Sequence, residues 1–287
     1  MIQAESYVLK KYIEKASSDY KKKYVSFLLP EEVQSLNSVD SFDLALEKNH
    51  IFSSQFFSYL HYSYFAEILS SFPTGEIPFY LEIFPEDVSK KIRSFLRISS
   101  KKKTCSPIIK EYFEQNLLKT LLEKNPGFLP PSYLPTSTLN VLIPFSKDDL
   151  CLLFVYLGLF DLAQILKKTV NSQILKKIDS YLSKEKKIFL QKIGYPQEPF
   201  LPSLTLANWS GSSLDLMKKI HKAGIVRFCI ALSSENPLLI WYITHRLDTG
   251  RKDLIEELMQ KSQTFLNAKF VMKQIHFVLQ TNFRNPN

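Results

Sequence analysis

The chain has 287 residues, of which 45% are hydrophobic and 13% aromatic, and this much apolar surface excludes wholesale disorder. Only 7 residues are glycine; tight β-hairpins and phosphate-binding loops need glycine for positive φ angles, so the composition favours helices. The net charge of +9 points towards phosphate or acidic-membrane partners. The lysines, however, come in short groups that alternate with acidic residues, and this pattern favours solvated helix faces over a phosphate-binding surface.

The cysteines and the apolar runs predict a cytoplasmic protein. Cys105, Cys151 and Cys229 are odd in number and form no CxxC pair, which argues against a disulfide framework. The N-terminus has neither the basic nor the apolar region of a secretory signal. The most apolar run, Leu150 to Phe160, is about half the roughly 20 residues that a membrane span requires. We therefore expect a buried helix there and not a membrane anchor.

In the first part of the chain, the apolar spacing predicts a helix over Ala4 to Leu29. Pro30 then stands at a helix start, since proline suits the first helical position and the carboxylates that follow it favour the positive end of the helix dipole. Pro85 precedes a second start of the same kind. A third start is expected at Ser146, because the S-x-x-D spacing to Asp149 matches a capping box.

Aromatic side chains crowd the segment from Ser53 to Phe72, which is predicted to be a helix. Its aromatics are expected to form the centre of an N-terminal domain, with a partner-binding face as the alternative. Another helix is predicted over Ile108 to Glu123. The prolines between Pro126 and Pro144 prevent a continuous helix. We therefore expect an aromatic-rich domain over residues 1–125, a linker over 126–144 and a second domain over 145–287.

Helical periodicity is clearest after the linker. Leu150 to Leu157 are expected to form one helix that breaks at Gly158, and Tyr195 to Ser213 form a second proline-marked break. Further helices are predicted over residues 162–166, 174–182 and 188–193, and then over Leu214 to Ala223, Ile225 to Leu232, Pro237 to Leu247, Asp253 to Met259 and Ala268 to Leu279.

No pattern in the sequence predicts catalysis. The five histidines show no HExxH, HxH or Cys/His spacing of a metal site, and neither nucleotide-binding glycine motif is present. No catalytic residue, metal or cofactor is therefore predicted. The most unusual segment runs from Trp241 to Arg251, where Arg246 and Arg251 flank Asp248 and Gly250 is expected to end the helix. This cluster is either an exposed recognition surface or an ion-paired corner that fixes the next helix.

The segment from about residue 140 to 260 resembles the helical repeats of the flagellar rotor protein FliG. In that family a Glu-His-Pro-Gln tetrad opens a helix that ends in a Tyr-Leu-Asp-like corner. Here Ser146-Lys147-Asp148-Asp149 stands at the tetrad position, and Glu235-Asn236-Pro237-Leu238 is a second echo that leads to Asp248. The family's His and Gln are absent from both copies, and no charged torque ridge is apparent.

The resemblance implies an all-α fold of FliG-like or armadillo-like right-handed helical repeats behind an N-terminal helical domain. It also implies a static scaffold of the kind that joins an inner-membrane ring to the cytosolic ring or pods of a type III secretion or flagellar apparatus. Such an adaptor has protein partners, takes no small-molecule substrate and meets the membrane only indirectly, through its partners. The alternatives are a cytosolic secretion chaperone that uses the Phe56 to Phe65 aromatics as a groove, and a basic helical nucleic-acid binder. The predicted contact residues of the adaptor are Asp148, Asp149, Glu235, Pro237, Arg246 and Arg251.

Overall fold

The computed structural model describes residues 22, 25–38, 56–99, 103–124, 131–194, 198–207, 209–261 and 267–283. Within these ranges the chain is helical and contains no β-strand, which confirms the all-α class. The helices are α1 (Pro30–Ser38), α2 (Tyr62–Ser70), α3 (Ile77–Tyr80), α4 (Glu86–Leu96), α5 (Pro107–Lys124), α6 (Lys147–Lys168), α7 (Ser172–Tyr181), α8 (Lys184–Ile193), α9 (Ser213–Leu232), α10 (Pro237–Thr244), α11 (Thr249–Lys261) and α12 (Ala268–Asn282). Short 3-10 turns cover Leu81–Ile83, Pro131–Tyr133 and Thr138–Leu142.

The chain forms two compact units, each with its own contacts. Unit 1 contains Met1–Phe57 and Lys103–Leu129, and unit 2 contains Ser58–Lys102 and Pro130–Asn287. Residues 58–102 therefore belong with the C-terminal part of the chain, and a cut near residue 125 does not follow this division. The helix predicted over Ala4 to Leu29 lies outside the described residues, apart from 22 and 25–29.

The predicted helix starts agree with the structure, with a shift of one residue at the second. Pro30 is the first residue of α1, and Glu31 and Glu32 lie in its first turn. At α4, Pro85 is the residue before the helix, which begins at Glu86. The capping box at α6 is confirmed, because Ser146 Oγ accepts from Asp149 N–H at 3.2 Å and Asp149 Oδ2 accepts from Ser146 N–H at 3.0 Å.

The aromatic segment is not one continuous helix as predicted, because residues 59–61 interrupt it, and four of its seven Phe and Tyr side chains are buried. Residues 53–55 lie outside the described ranges, and α2 begins only at Tyr62, where the His61 ring accepts from Ser63 N–H. Phe56 in unit 1 is 2% exposed, and Phe65 in unit 2 is 1% exposed. Burial of this kind is expected of a core and not of an open groove.

Two predicted breaks are absent because their glycines lie where two long helices cross. α6 runs through Gly158 and α9 runs through Gly224 without interruption. A Cβ on Gly158 would lie 1.9 Å from the Ile220 carbonyl oxygen, and a Cβ on Gly224 would lie 1.7 Å from the Phe154 carbonyl oxygen. Each glycine thus faces the carbonyl four residues before the other glycine. The glycines permit the close approach of the two helices and do not end either one.

The remaining helices of unit 2 surround this crossing. α8 and α12 pack on α6, while α7, α11 and α12 contact α9. α2 packs against α4, and α10 against α11. The predicted break over Tyr195 to Ser213 is confirmed for residues 198–207 and 209–212, which contain no helix, while Ser213 already begins α9. Within the predicted 126–144 linker, residues 126–130 lie outside the described ranges, whereas Leu139 and Leu142 are fully buried.

Among the described residues, α6 is the one helix that is long and apolar enough to cross a bilayer by length and composition. Within the folded chain, 61% of the most apolar 18-residue window of α6 is buried. Core helices of soluble proteins can have the same length and apolar composition. Close packing within unit 2 accounts for this apolar composition.

The crossing predicts that alanine at either of its two glycines destabilises the protein, whereas alanine at a helical glycine elsewhere does not. Gly158→Ala or Gly224→Ala places a methyl group on a backbone carbonyl, and we expect each to lower the free energy of unfolding by at least about 1–3 kcal/mol. Gly250, in the first turn of α11, is the matched control, since its nearest neighbour is Asp248 Oδ1 at 3.6 Å. Gly250→Ala should stabilise the protein by up to about 1 kcal/mol, because alanine has the higher helix propensity. Urea unfolding gives the free energy of unfolding of the three variants. An increase in this free energy for Gly224→Ala would contradict the close approach of α6 and α9.

Candidate functional site

The structure brings together two segments that were predicted separately as contact sites. Lys147, at the start of α6, lies 3.0 Å from Asp248, which precedes α11. Arg251 also pairs with Asp248. We call Lys147, Asp248 and Arg251 the charged corner. Its side chains are 32%, 25% and 36% exposed, so it is a partly screened ionic cluster at the surface.

The corner has the electrostatic signature of an ion-paired junction. Burial would raise the pKa of Asp248, but Lys147 and Arg251 hydrogen-bond its carboxylate and lower its pKa to about 2. Asp248 Oδ1 also accepts from the Arg251 backbone N–H at 3.2 Å. The carboxylate therefore lies at the helix start, where the dipole favours negative charge. Gly250 was predicted to end the preceding helix, and this is wrong: α10 ends at Thr244, and Gly250 lies in the first turn of α11.

Arg246, a predicted contact residue, binds inside unit 2. Its Nε donates to the Ile143 carbonyl at 2.9 Å, and its Nη1 donates to the Ser58 carbonyl. Its guanidinium also lies 4.9 Å from the centre of the Tyr59 ring. Arg246 thus joins three stretches of chain that are far apart in sequence. This placement favours the structural alternative for Arg246.

The other predicted contact residues lie at helix starts. Asp149 is half-buried and belongs to the capping box of α6, whereas Asp148 is exposed beside it. Glu235 is half-buried and Pro237 is exposed. Pro237 is the first residue of α10, which Asn236 caps by accepting from Leu238 N–H at 2.8 Å. Asp148 and Pro237 are therefore the members of the set that are freest to touch a partner, and their use in binding stays a prediction.

Behind the corner, His245 is stacked between aromatic rings. Its ring lies 3.9 Å from the Trp241 ring and 4.6 Å from the Tyr64 ring, centre to centre. Burial lowers the pKa of His245 to about 4, against the effect of its hydrogen bond to the Trp241 carbonyl. His61 donates its backbone N–H to the His245 carbonyl at 2.8 Å. Burial, together with nearby Lys147, lowers the pKa of His61 to about 4 as well.

The most deeply buried polar cluster in unit 2 centres on Arg227 of α9, whose side chain is 1% exposed. Its Nε donates to Asp161 Oδ1 at 2.6 Å, and its Nη1 donates to Glu198 Oε1 at 3.0 Å and to Gln274 Oε1 at 2.7 Å. Its Nη2 bonds both Asp161 and Glu198. Arg227 thus donates four hydrogen bonds, of the five that a guanidinium can make, and forms ion pairs with both carboxylates. We call Asp161, Glu198, Arg227 and Gln274 the arginine clamp.

The clamp fastens a non-helical segment to three helices. Asp161 comes from α6, Arg227 from α9 and Gln274 from α12, while Glu198 comes from the proline-rich stretch. Asp161 Oδ2 accepts from the backbone N–H of Ser203 at 2.6 Å and of Leu204 at 2.9 Å. Asp161 thereby satisfies donors that the irregular backbone leaves without a helical partner.

The ionisable groups of these clusters are bonded to other protein groups, and the thiols of Cys151 and Cys229 are weakly reactive. Within the described ranges no group of three or more His, Cys, Asp or Glu residues is arranged to hold a metal ion. Burial raises the pKa of the Cys229 thiol to about 12 and also raises that of Cys151, which keeps both thiols protonated and weakly nucleophilic. The clamp carboxylates are bonded to Arg227 and to the backbone.

Sequence reasoning missed the clamp, although the sequence carries a signal for it. Asp161 lies three residues after Gly158, and Arg227 lies three residues after Gly224. On a helix this spacing places the charged residue one turn beyond the glycine on the same face. A matched pair of Gly-x-x-Asp and Gly-x-x-Arg helices therefore indicates a close crossing with an ion pair one turn further on.

Comparisons with models of known protein families, with curated proteins and with solved structures find no match to this chain.

Loss of Arg227 should be costly because it leaves two buried carboxylates without their cation. We expect Arg227→Met to lower the free energy of unfolding by about 3–5 kcal/mol. Arg251→Met, which removes a partly exposed pair at the charged corner, is the control and should cost about 1 kcal/mol or less. Urea denaturation compares the two variants, and equal losses would show that the clamp does not stabilise unit 2.

The stacked histidine predicts acid sensitivity. The pKa of His245 is about 4 in the folded chain and 6.5 as a model value, so between these pH values the unfolded chain binds a proton that the folded chain does not. The contribution of neutral His245 is thus fully present above pH 6.5 and is lost as the pH falls towards 4, by up to about 3 kcal/mol. His61 acts in the same direction, with Lys91, Lys147 and Arg251 opposing its charge and Asp248 favouring it.

Urea midpoints measured from pH 7.5 to pH 4 test this point in the wild type and in His245→Phe. The phenylalanine keeps the ring stack and removes the titration, while the carboxylates titrate alike in both proteins. The wild type should therefore lose more stability on acidification than the variant. Parallel pH profiles would show that His245 is not the titrating group.

Proposed function

We propose that this chain is a non-enzymatic adaptor that joins a membrane-embedded ring to the cytosolic ring or sorting platform of a bacterial type III secretion or flagellar apparatus. The observation that carries the proposal is the internal bonding of the arginine clamp. Arg227 donates four hydrogen bonds to Asp161, Glu198 and Gln274, all within unit 2, so the clamp joins helices to one another. A scaffold needs such a frame, with its recognition groups on the outside.

The FliG-like repeat arrangement is part of this proposal. Both segments that carry the resemblance stand at capped helix starts, with Ser146 before α6 and Asn236 before α10. The corner at Asp248 follows α10, as the resemblance expects of a helix end. These three local agreements support the repeat interpretation.

The chaperone alternative has less support. Its binding groove would use the aromatics between Phe56 and Phe65, of which these two are 2% and 1% exposed. A groove that binds an amphipathic helix has to present its apolar side chains to the partner. The burial of these rings therefore favours the adaptor.

Site-specific photocrosslinking in cells tests the adaptor proposal. A photoreactive amino acid at Asp148 or Pro237, the two exposed predicted contact positions, should crosslink to an inner-membrane ring or pod protein of the same apparatus. Lys119 of α5, with a side chain that is 76% exposed, serves as the control position in unit 1 and should give no such product. If neither predicted position crosslinks to a ring or pod protein while the apparatus assembles normally, the proposed docking surface is wrong.

A further inference from the structure

Positive charge is concentrated in one short part of unit 2. Between Lys167 and Ile193 the chain has eight lysines, no arginine and two carboxylates, so this stretch carries +6 of the total +9. The first turns of α9 add Lys218, Lys219 and Lys222 against Asp215. The net charge is therefore not spread evenly, although each lysine group by itself is short.

The elements that carry these lysines are neighbours. Lys187 of α8 pairs with Asp179 of α7 at 2.8 Å. The Tyr181 hydroxyl of α7 donates to the Gly211 carbonyl at 3.1 Å, just before α9 begins. α7 also contacts α9 directly. α7 is thus connected to both of the other lysine-bearing helices.

Exposed lysines share one helix face with an exposed apolar side chain on two of these helices. On α8, Lys184, Ile188 and Lys192 follow each other at intervals of four residues, and all three are exposed. On α9, Leu214, Lys218 and Lys222 repeat the spacing and are exposed as well. Residues four apart lie on the same face of a helix, so each series forms one outward stripe.

The apolar members of this region are unusually open to solvent. Val170, between α6 and α7, is 95% exposed, Leu214 is 67% exposed and Ile188 is 41% exposed. Leu201, in the segment between α8 and α9, is 83% exposed. Exposed aliphatic side chains among lysines combine the two attractions that peripheral proteins use at a bilayer, which are burial at the interface and attraction to anionic headgroups.

We infer that this region, the lysine surface, binds directly to the anionic headgroups of a lipid bilayer. Its exposed aliphatic side chains would enter the interface between the headgroups, while the lysine stems keep their ammonium groups in water. The lysine surface is represented by Lys167, Lys176, Lys184, Lys192, Lys218 and Lys222.

The side chains favour a lipid surface over a nucleic acid. No arginine occurs between residues 167 and 222, although the planar guanidinium of arginine is the group that proteins favour for nucleic-acid recognition. The face of Trp209 is near Lys177, at 5.8 Å, and its edge is near Tyr181, so the ring is not an open stacking platform for bases. The exposed aliphatic side chains of Val170 and Leu201 would gain nothing from contact with a phosphate backbone. At a bilayer they could be buried in the interfacial layer.

This inference goes beyond the proposed adaptor, which reaches the membrane through protein partners. Direct lipid contact would orient the lysine surface towards the bilayer whichever ring proteins bind elsewhere. The adaptor proposal and the lipid-binding inference can be contradicted independently. Vesicle binding is measured with the purified full chain and no partner protein, whereas photocrosslinking tests the protein partners.

Vesicle co-sedimentation tests the inference with the full-length protein. Vesicles of phosphatidylethanolamine with about 30% phosphatidylglycerol should pellet the protein, whereas pure phosphatidylcholine vesicles should not. Binding to the anionic vesicles should fall steeply with added salt, because it depends on screened charges. The combined variant Lys176→Gln, Lys184→Gln and Lys192→Gln should bind about a hundredfold more weakly, since each lysine near an anionic surface contributes about fivefold.

The matched control is Lys90→Gln, Lys269→Gln and Lys273→Gln. These three lysines are also exposed and lie on α4 and α12. Their substitution removes the same net charge as the first triple variant. The control should lose less than about fivefold in binding, a loss smaller than that of one lysine at the surface. Equal losses in the two triple variants, or equal binding to neutral and anionic vesicles, would overturn the inference. So would tight binding to a DNA duplex without any binding to vesicles.

Discussion

The close crossing of α6 and α9 is the contact on which unit 2 depends. Two glycines allow one backbone to touch the other, and one turn beyond them Asp161 meets Arg227 inside the protein. Close approach and ion pairing reinforce each other, because a fixed crossing holds the guanidinium where its donors find acceptors. α12 and the irregular segment that contains Glu198 are then attached to the same point.

Such a cluster adds specificity more than it adds stability. Buried charges lose their hydration, and well-packed apolar residues of similar volume are often as stabilising as a buried ion pair. In return, a guanidinium that donates four hydrogen bonds to three different side chains restricts how its neighbours can be arranged. We regard this as the reason that an irregular stretch containing several prolines keeps a defined position against three helices. Apolar side chains alone would allow that stretch to slide.

Much of the fold was predictable because helix starts are local. The capping box at Ser146 and the proline at Pro30 depend on residues within one turn, so the sequence alone indicates them. Gly158 and Gly224 were interpreted as breaks because a glycine inside a helical pattern lowers helix propensity, and that weak preference gives way to tertiary packing. The sequence left the role of Arg246 open because this role depends on tertiary contacts. Its acceptors, the carbonyls of Ser58 and Ile143, are remote in sequence.

The division of the chain has a consequence for how the protein is made. Residues 58–102 belong to unit 2 but leave the ribosome well before residues 130–287, on which part of their packing depends. Tyr64 meets His245 only after α10 has been synthesised. During translation α4 can pack on α2 early, whereas Tyr64 lacks its contact with His245 until α10 has been added. Nascent chains of this protein thus carry an incompletely packed aromatic helix for most of their synthesis.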